Sequence, residues 1–356
     1  MPVINAQVDV CVLTSTTSPG NGAFDKGVSA SFSGMLDGKM MIAGGSNFPD
    51  VPAIDGGVKR YYSDIYVADV PTDSLVVSWR RVGQLPQPAA YGVSVSDGEG
   101  VICVGGVNAE RALNDVFRIR LEDGKVQIDP LPSLPFALDN MTGTLLNDVL
   151  YIAGGNKHGK ASNCFYSLDL KEVAAGWRKL PDFSGAPRIQ PVCSALMNES
   201  GETLFYLWGG FSLPSKETAP TMSIDGYVYS SVTGRWTALP SPVDKNGEQV
   251  SLGGGTAIAA NDSLILCLGG VHKDIFMQGF QTPSSEYMAH SPEWYHFNNR
   301  VLVYNARSRQ WKELFRTPDV ARAGAALIFA EKDFFFINGE LKPGIRTPNI
   351  TRITRQ

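Results

Sequence analysis

The sequence predicts an all-β fold: a propeller of six four-stranded antiparallel blades, closed into a ring by a strand from the amino terminus. Three observations predict it. An apolar run ending in a glycine pair recurs along the chain. Each recurrence is followed by the same landmarks in the same order. The recurrences fill all 356 residues with almost no remainder.

Five copies of the run are complete: Met40-Met41-Ile42-Ala43-Gly44-Gly45, Val101-Ile102-Cys103-Val104-Gly105-Gly106, Leu150-Tyr151-Ile152-Ala153-Gly154-Gly155, Phe205-Tyr206-Leu207-Trp208-Gly209-Gly210 and Leu264-Ile265-Leu266-Cys267-Leu268-Gly269-Gly270. A sixth, degenerate copy is Phe334-Phe335-Phe336-Ile337-Asn338-Gly339. Copies lie 49 to 69 residues apart, so six units of about 59 account for the length. A short strand follows the glycines, as in Asp64-Ile65-Tyr66-Val67 or Gly226-Tyr227-Val228-Tyr229. Then comes a tryptophan with a Leu-Pro or similar exit: Trp79, Trp177, Trp236 and Trp311. The second unit lacks the tryptophan and keeps Leu131-Pro132. A small-residue strand precedes each run, such as Gly92-Val93-Ser94-Val95-Ser96, which makes four strands per unit. The blades run about 27–86, 87–135, 136–187, 188–242, 250–318 and 322–356, in a single domain over 1–356.

This pattern resembles the kelch repeat, whose units are propeller blades. One such sheet cannot bury both its faces alone, and stacking sheets round an axis buries them against each other. Glycine pairs let the backbone turn sharply and approach a neighbour closely, and each tryptophan fills a gap between blades. The sixth unit supplies three strands, Gly324 to Ala330, Asp333 to Ile337 and Asn349 to Thr354. The fourth is expected from residues 7–13, Gln7-Val8-Asp9-Val10-Cys11-Val12-Leu13, which removes an unpaired edge.

Composition narrows the function. Glycine is abundant, 37 residues, and charged residues are few, 19%, which describes tight turns and buried strand. The net charge of −4 argues against a nucleic-acid partner, which needs clustered Lys and Arg. No apolar run approaches the ~18 residues of a membrane span. The five cysteines, Cys11, Cys103, Cys164, Cys193 and Cys267, are odd in number and show no CxxC spacing. They read as reduced thiols, with Cys103 and Cys267 buried in apolar runs. The amino terminus shows no basic start and no apolar core of a leader. The expected compartment is therefore the cytoplasm, or the periplasm if a leader has been removed; oligomeric state is left open.

A propeller is a scaffold, so chemistry is sought where the minimal blade is exceeded or broken. The segments from Asn47 to Tyr62 and from His272 to Asn299 are long insertions, the second rich in aromatics and holding three of the four histidines. His290 and His296 lack a Cys partner, which disfavours zinc. Gly253-Gly254-Gly255 lacks the Lys-Ser/Thr of a phosphate loop. Arg300 and Arg322 face either channel or solvent. In the sixth unit the glycine pair gives way to Asn338-Gly339-Glu340-Leu341-Lys342-Pro343-Gly344-Ile345-Arg346-Thr347. That places a Glu where a buried strand meets the channel, with an Arg following across a Pro-Gly turn. By itself, such a pair reads more ordinarily as a surface pair.

The run from Asn338 to Thr347 resembles the signature of the N-acetylneuraminate epimerase family, the sialic acid mutarotases, which are six-bladed kelch propellers. Gly269-Gly270-Val271 with Ile275-Phe276, Tyr295-His296-Phe297-Asn298, Pro187-Arg188-Ile189-Gln190 and Ala90-Tyr91-Gly92-Val93-Ser94 match as well. The order of the blades resembles a cyclically permuted branch. The resemblance implies an isomerase whose catalytic pair is Glu340 and Arg346. It implies a substrate site drawn from Arg188, Gln190, Tyr91, His272 and Asn298, and a sialic acid as the small-molecule partner. Such chemistry suits the residues: a carboxylate takes the anomeric proton, and a guanidinium fork takes the sugar's carboxylate. Neither a metal nor a cofactor is required. Two other readings stand beside it: a mutarotase for another keto-sugar acid or amino sugar, and a non-catalytic kelch module binding a glycan or peptide. A copper oxidase propeller would want a Tyr/His metal cluster and a larger ring.

Overall fold

A computed structural model describes residues 8–18, 24–216 and 218–355. It is all-β apart from short helical turns, and besides a few two- and three-stranded pairings its strands assemble into six four-stranded sheets, the first and sixth of which are joined into one eight-stranded sheet by the amino-terminal strand. The first sheet holds Phe32–Leu36, Lys39–Ala43, Asp64–Ala68 and Val76–Gln84. The second holds Val93–Ser96, Val101–Val107, Ala112–Glu122 and Lys125–Leu131. The third holds Thr142–Leu146, Val149–Ala153, Phe165–Asp169 and Arg178–Leu180. The fourth holds Val192–Met197, Thr203–Trp208, Gly226–Ser230 and Arg235–Leu239. The fifth holds Thr256–Asn261, Leu264–Leu268, Arg300–Asn305 and Gln310–Arg316. The sixth joins Ala326–Ala330, Asp333–Ile337 and Ile350–Arg355 to the amino-terminal strand Val8–Ser18.

The amino-terminal strand is longer than residues 7–13 suggested, and Gln7 lies outside the described residues. It pairs antiparallel with Ile350–Arg355, Val10 opposite Ile353 and Leu13 opposite Ile350. It then runs on, parallel to the outer strand of the first sheet, Thr14 opposite Val76 and Ser18 opposite Arg80. That parallel stretch left no signal in the sequence, because Thr14-Ser15-Thr16-Thr17-Ser18 is polar throughout.

The second strand of each unit is the apolar run. Leu264–Leu268 and Asp333–Ile337 are buried at every position, as a strand covered on both faces must be. An outer strand can alternate instead, as Val76–Gln84 does from Val76 to Trp79. Six apolar clusters fill the spaces between consecutive sheets. One of them joins the sixth sheet to the first through Phe335, Ile337, Met40, Ile42 and Trp79. Tryptophans stitch the third, fourth and fifth sheets each to the one before it. Trp177, Trp236 and Trp311 donate their indole N–H to the carbonyls of Pro132, Pro181 and Pro240 at 2.8, 2.8 and 3.0 Å.

The glycine pairs have a specific backbone reason. Both residues of each pair take positive φ, for example 66° at Gly269 and 105° at Gly270. A Cβ on Gly269 would run into the carbonyl of Arg322 in the next unit. Asn338 and Gly339 hold the same conformation, 58° and 108°, and asparagine is among the few residues that tolerate it.

The first strands of the six sheets neighbour one another in turn, and the last of them lies beside the first. They line a central cavity of about 450 Å³. One residue before or near each first strand also takes positive φ: Ala30, Tyr91, Asn140, Gln190, Gly254 and Gly324. Their backbones form a circuit. Tyr91 N donates to Ala30 O (2.9 Å), Asn140 N to Tyr91 O (2.7 Å) and Gln190 N to Asn140 O (2.7 Å). Gly254 N donates to Gln190 O (3.0 Å), Gly324 N to Gly254 O (2.8 Å) and Ala30 N to Gly324 O (2.7 Å). This circuit defines one mouth of the cavity. No helix among the described residues is long and apolar enough to cross a membrane.

Candidate functional site

Glu340 follows the buried strand Asp333–Ile337 and its Asn-Gly turn directly. Its backbone exchanges both hydrogen bonds with Ala323, the residue before Gly324 of the circuit. The break in the glycine rule thus delivers a carboxylate to the mouth of the cavity. Glu340–Lys342 and Ile345–Arg346 form a small hairpin in which Glu340 and Arg346 are direct cross-strand partners. Arg346 Nη1 lies 3.0 Å from Glu340 Oε1, and Gly344 N donates to the same oxygen at 2.8 Å. The Arg346 side chain is 3% exposed and that of Glu340 24%. Arg346 Nε donates to Ser29 Oγ at 3.2 Å, while the buried Nη1 is held by its charge pairing with Glu340 and makes no well-aligned hydrogen bond.

The insertion from Asn47 to Tyr62 supplies one wall. The Arg346 guanidinium sits 5.2 Å from the centre of the Phe48 ring, and Lys59 Nζ lies 5.8 Å from the same ring. Lys59 also reaches Tyr91, with Nζ 5.1 Å from the ring centre and 3.3 Å from Oη. Burial pushes the Tyr91 phenol up, yet Lys59 and Arg346, helped by a hydrogen bond with Ser46, outweigh it against Glu340 and hold it below the ordinary value of 10.

The insertion after Gly270 supplies the adjoining wall through the helices Lys273–Gln278 and Ser284–Met288 and the turn Pro292–Tyr295. Lys342 of the hairpin donates to the carbonyls of Met288 (3.1 Å) and His290 (2.6 Å). Burial, then Tyr295 and Glu340, push Tyr287 up to about 12. Burial and Glu340 also raise Tyr295, whose hydroxyl donates to the Tyr287 carbonyl.

Across the mouth, Gln190 Nε2 donates to Asn140 Oδ1 (2.6 Å), and Asn140 Nδ2 to the buried carboxylate of Asp139 (2.5 Å). Asn156 Nδ2 donates to the same Asp139 oxygen at 2.9 Å.

Of the residues singled out in the sequence, Glu340, Arg346 and Tyr91 come together, and Gln190 stands on the same circuit. Arg188 does not join them. Its guanidinium is fully buried between sheets, donating to Ala186 O (2.9 Å), Gly209 O (3.1 Å) and both oxygens of Asp225 (2.9 and 3.1 Å). Arg322 stands in the same place in the sixth unit, donating to Asn349 O, Phe336 O and Thr351 Oγ1 at 2.7, 3.1 and 2.8 Å. Asn298 is 3% exposed, with its amide bound to Gly269 O (3.0 Å) and its oxygen to Arg300 N (3.0 Å), so it shapes a turn. His272 lines a different cavity of about 490 Å³, with His296, Asp274 and Arg300, that none of Glu340, Arg346 or Tyr91 touches. Among the described residues, no group of three or more His, Cys, Asp or Glu is placed to hold a metal ion.

Sequence reasoning passed over Phe48, Lys59, Asp139 and Asn140. One signal was available for Asn140. It precedes its first strand at the same phase of the repeat as Tyr91 and Gln190. Phe48 and Lys59 lie in an insertion whose residues follow no repeat, so no pattern marks them.

A family model described as N-acetylneuraminate epimerase matches residues 10–128 and 131–356. The N-acetylneuraminate epimerase of Salmonella paratyphi B (strain ATCC BAA-1250 / SPB7) is 31% identical over 236 residues, covering 62% of this chain and 58% of the relative. That of Yersinia enterocolitica serotype O:8 / biotype 1B is 32% identical over 230 residues, covering 61% and 55%. That of Haemophilus influenzae (strain PittEE) is 30% identical over 229 residues, covering 61% and 57%. The matched stretch thus spans less than three fifths of these curated relatives. A solved structure titled "Structure of YjhT" superposes with a TM-score of 0.53 at 24% identity, covering 64% of this chain and 67% of that one. It shows a shared fold.

Proposed function

The chain belongs to the N-acetylneuraminate epimerase family, and from that premise we propose that it is a mutarotase that interconverts the α and β anomers of N-acetylneuraminic acid. Glu340 is the base and Arg346 the carboxylate-binding group. The observation that carries this reading is the Glu340–Arg346 hairpin at the mouth of the cavity, 3.0 Å between charges, in the one unit where the glycine pair is broken.

The chemistry follows from the groups. The substrate's anomeric carbon bears both a hydroxyl and a carboxylate. The Arg346 fork takes the carboxylate and so fixes the anomeric centre beside Glu340. Glu340 removes the anomeric proton as the bond from the anomeric carbon to the ring oxygen breaks. The open keto form turns its other face to the hydroxyl, and reclosure returns the proton from Glu340. Acid–base groups held in this way supply about 10²–10⁴-fold acceleration. Gln190 and Tyr91, on the circuit, are the remaining substrate contacts in this reading.

The scaffold in the same reading is a six-bladed kelch propeller whose ring is closed by Val8–Ser18. The hydrogen-bond circuit and the apolar cluster between sixth and first sheets support it. The order of the blades is read as cyclically permuted. In support, the family match falls into two stretches that part at residues 128 and 131, where the second unit ends, and each pairwise match covers about three fifths of the chain.

NMR of freshly released α-N-acetylneuraminate tests the activity. Added protein is expected to speed the appearance of the β anomer well beyond the spontaneous rate. Equal rates with and without protein would remove the reading.

A further inference from the structure

We propose that Tyr91, positioned by Lys59, is the acid that protonates the ring oxygen when the sugar opens. This rests on the mutarotase reading above and fills the role that reading leaves vacant.

The geometry points to it in three ways. First, Tyr91 holds a positive φ of 60° on the central circuit. Such a backbone is costly for a bulky side chain and persists where function or packing demands it. The equivalent positions in the fifth and sixth units are Gly254 and Gly324, so this phase of the repeat has no need of a ring. Second, Lys59 Nζ donates to Tyr91 Oη at 3.3 Å, which occupies an oxygen lone pair and leaves the phenolic hydrogen to be given away. Third, the charged groups facing the phenol are two cations and one anion of the same site, Lys59, Arg346 and Glu340, with Tyr61 and the Ser46 hydroxyl beside them. Both cations pack on Phe48 and so are held in place whether or not the phenol is ionised.

The other tyrosines suit the task less well. The Tyr295 hydroxyl is spent on the Tyr287 carbonyl. Burial raises Tyr61, Tyr287 and Tyr295 above their ordinary value, which makes them weaker acids; Tyr91 alone of the four moves down.

The step balances. Glu340 takes the anomeric O–H proton, the electron pair of that O–H bond forms the carbonyl, and the bond to the ring oxygen breaks. The ring oxygen takes the proton of Tyr91, whose phenolate is stabilised by Lys59 and Arg346. On reclosure the sugar hydroxyl attacks the other carbonyl face and returns its proton to Tyr91, while Glu340 returns the other. No electrons are gained or lost.

Four proteins test it: wild type, Tyr91→Phe, Lys59→Met and Lys59→Arg, each checked for an unchanged melting curve. Tyr91→Phe is expected to slow the enzyme-dependent conversion of α-N-acetylneuraminate at least about 10²-fold. The acid must be protonated, so the wild-type rate falls as pH rises through the Tyr91 titration. Lys59→Met removes a neighbouring cation, so that fall moves to higher pH, and Lys59→Arg restores it. Phenolate absorbance, wild type minus Tyr91→Phe, follows the same titration without reference to activity and should shift upward in Lys59→Met. A wild-type rate in Tyr91→Phe, with Glu340→Ala inactive, overturns the acid assignment and leaves the mutarotase reading standing. So does a Tyr91 titration indifferent to Lys59. A wild-type protein that fails to accelerate the conversion overturns the mutarotase reading itself, and the acid assignment with it.

Discussion

Glu340 and Arg346 face each other across a hairpin of two short strands, and the carboxylate oxygen nearest Arg346 is also the one bound by Gly344 N. One oxygen of Glu340 is therefore committed to the hairpin, and Oε2 is left to take a proton. Glu340→Gln keeps the shape and removes the basicity. It is expected to lower kcat by about 10²-fold or more without unfolding the protein. Arg346→Lys keeps the charge and loses the fork. A charge-assisted hydrogen bond contributes about 1.5–3 kcal/mol, so KM for the sugar acid should rise roughly 10- to 100-fold, with a smaller change in kcat. A rise in KM alone for Glu340→Gln would reverse these roles. Steady-state kinetics by NMR separate them.

Asn338 sets where that hairpin starts. Its φ of 58° is one that glycine occupies in the five other units, and its Nδ2 has no hydrogen-bond partner. Asn338→Gly should therefore keep the melting temperature and the rate. Asn338→Val places a β-branched residue in the left-handed region, at a cost of about 1–3 kcal/mol. It should lower both stability and activity, because Glu340 follows two residues later. Thermal melting of the pair, run beside the NMR assay, checks this.

The amino-terminal strand is expected to matter far beyond its length. Leu13 is fully buried in the cluster that joins the sixth sheet to the first, with Trp79, Phe335 and Ile350. Leu13→Ala should cost about 2–5 kcal/mol. Removing residues 1–14 strips all of the pairing with Ile350–Arg355, together with Leu13 and the first partner along Val76–Gln84, and should lower the melting temperature sharply. An unchanged melt for the truncated protein would sink the structural role assigned to this strand.

The legible parts of the sequence were those with a repeat behind them. Glycine pairs recur because the same backbone φ recurs, and the apolar runs because the second strand is covered on both faces. Glu340 and Arg346 were visible as the exception to that rule. Arg188 and Gln190 sit two residues apart in a promising motif, yet one is locked between sheets on Asp225 and the other stands on the circuit. Spacing alone does not separate them, because a residue of positive φ turns the chain between alternate positions. Asn298 looked like a ligand-binding amide, but both ends of its side chain close a turn. Phe48 and Lys59 had no partner in sequence at all, since what places them is a tertiary contact with Arg346 and Tyr91.

Asp225 tests the buried position of Arg188 through pH. Burial raises the Asp225 carboxyl, but the Arg188 hydrogen bonds and charge, with Tyr227, outweigh it and hold it below 3.8. A carboxyl depressed in the folded state contributes stability above its unfolded pKa and loses it as pH falls through the folded one. Asp225→Asn leaves the 1%-exposed Arg188 side chain with its charge unpaired. Breaking a buried pair costs about 3–5 kcal/mol. The Asp225 side chain is itself 42% exposed and screened, so a loss nearer about 2 kcal/mol is expected at neutral pH. The gap from wild type should then begin to close as pH drops below about 4, where the carboxyl of the unfolded chain is being protonated, and go on closing toward the lower pH at which the folded carboxyl takes its proton. Denaturant melts of both proteins from pH 7 to pH 3 measure it. A gap that stays constant across that range would show that the cost comes from packing, and that the charge on Asp225 contributes nothing to holding Arg188 between the sheets.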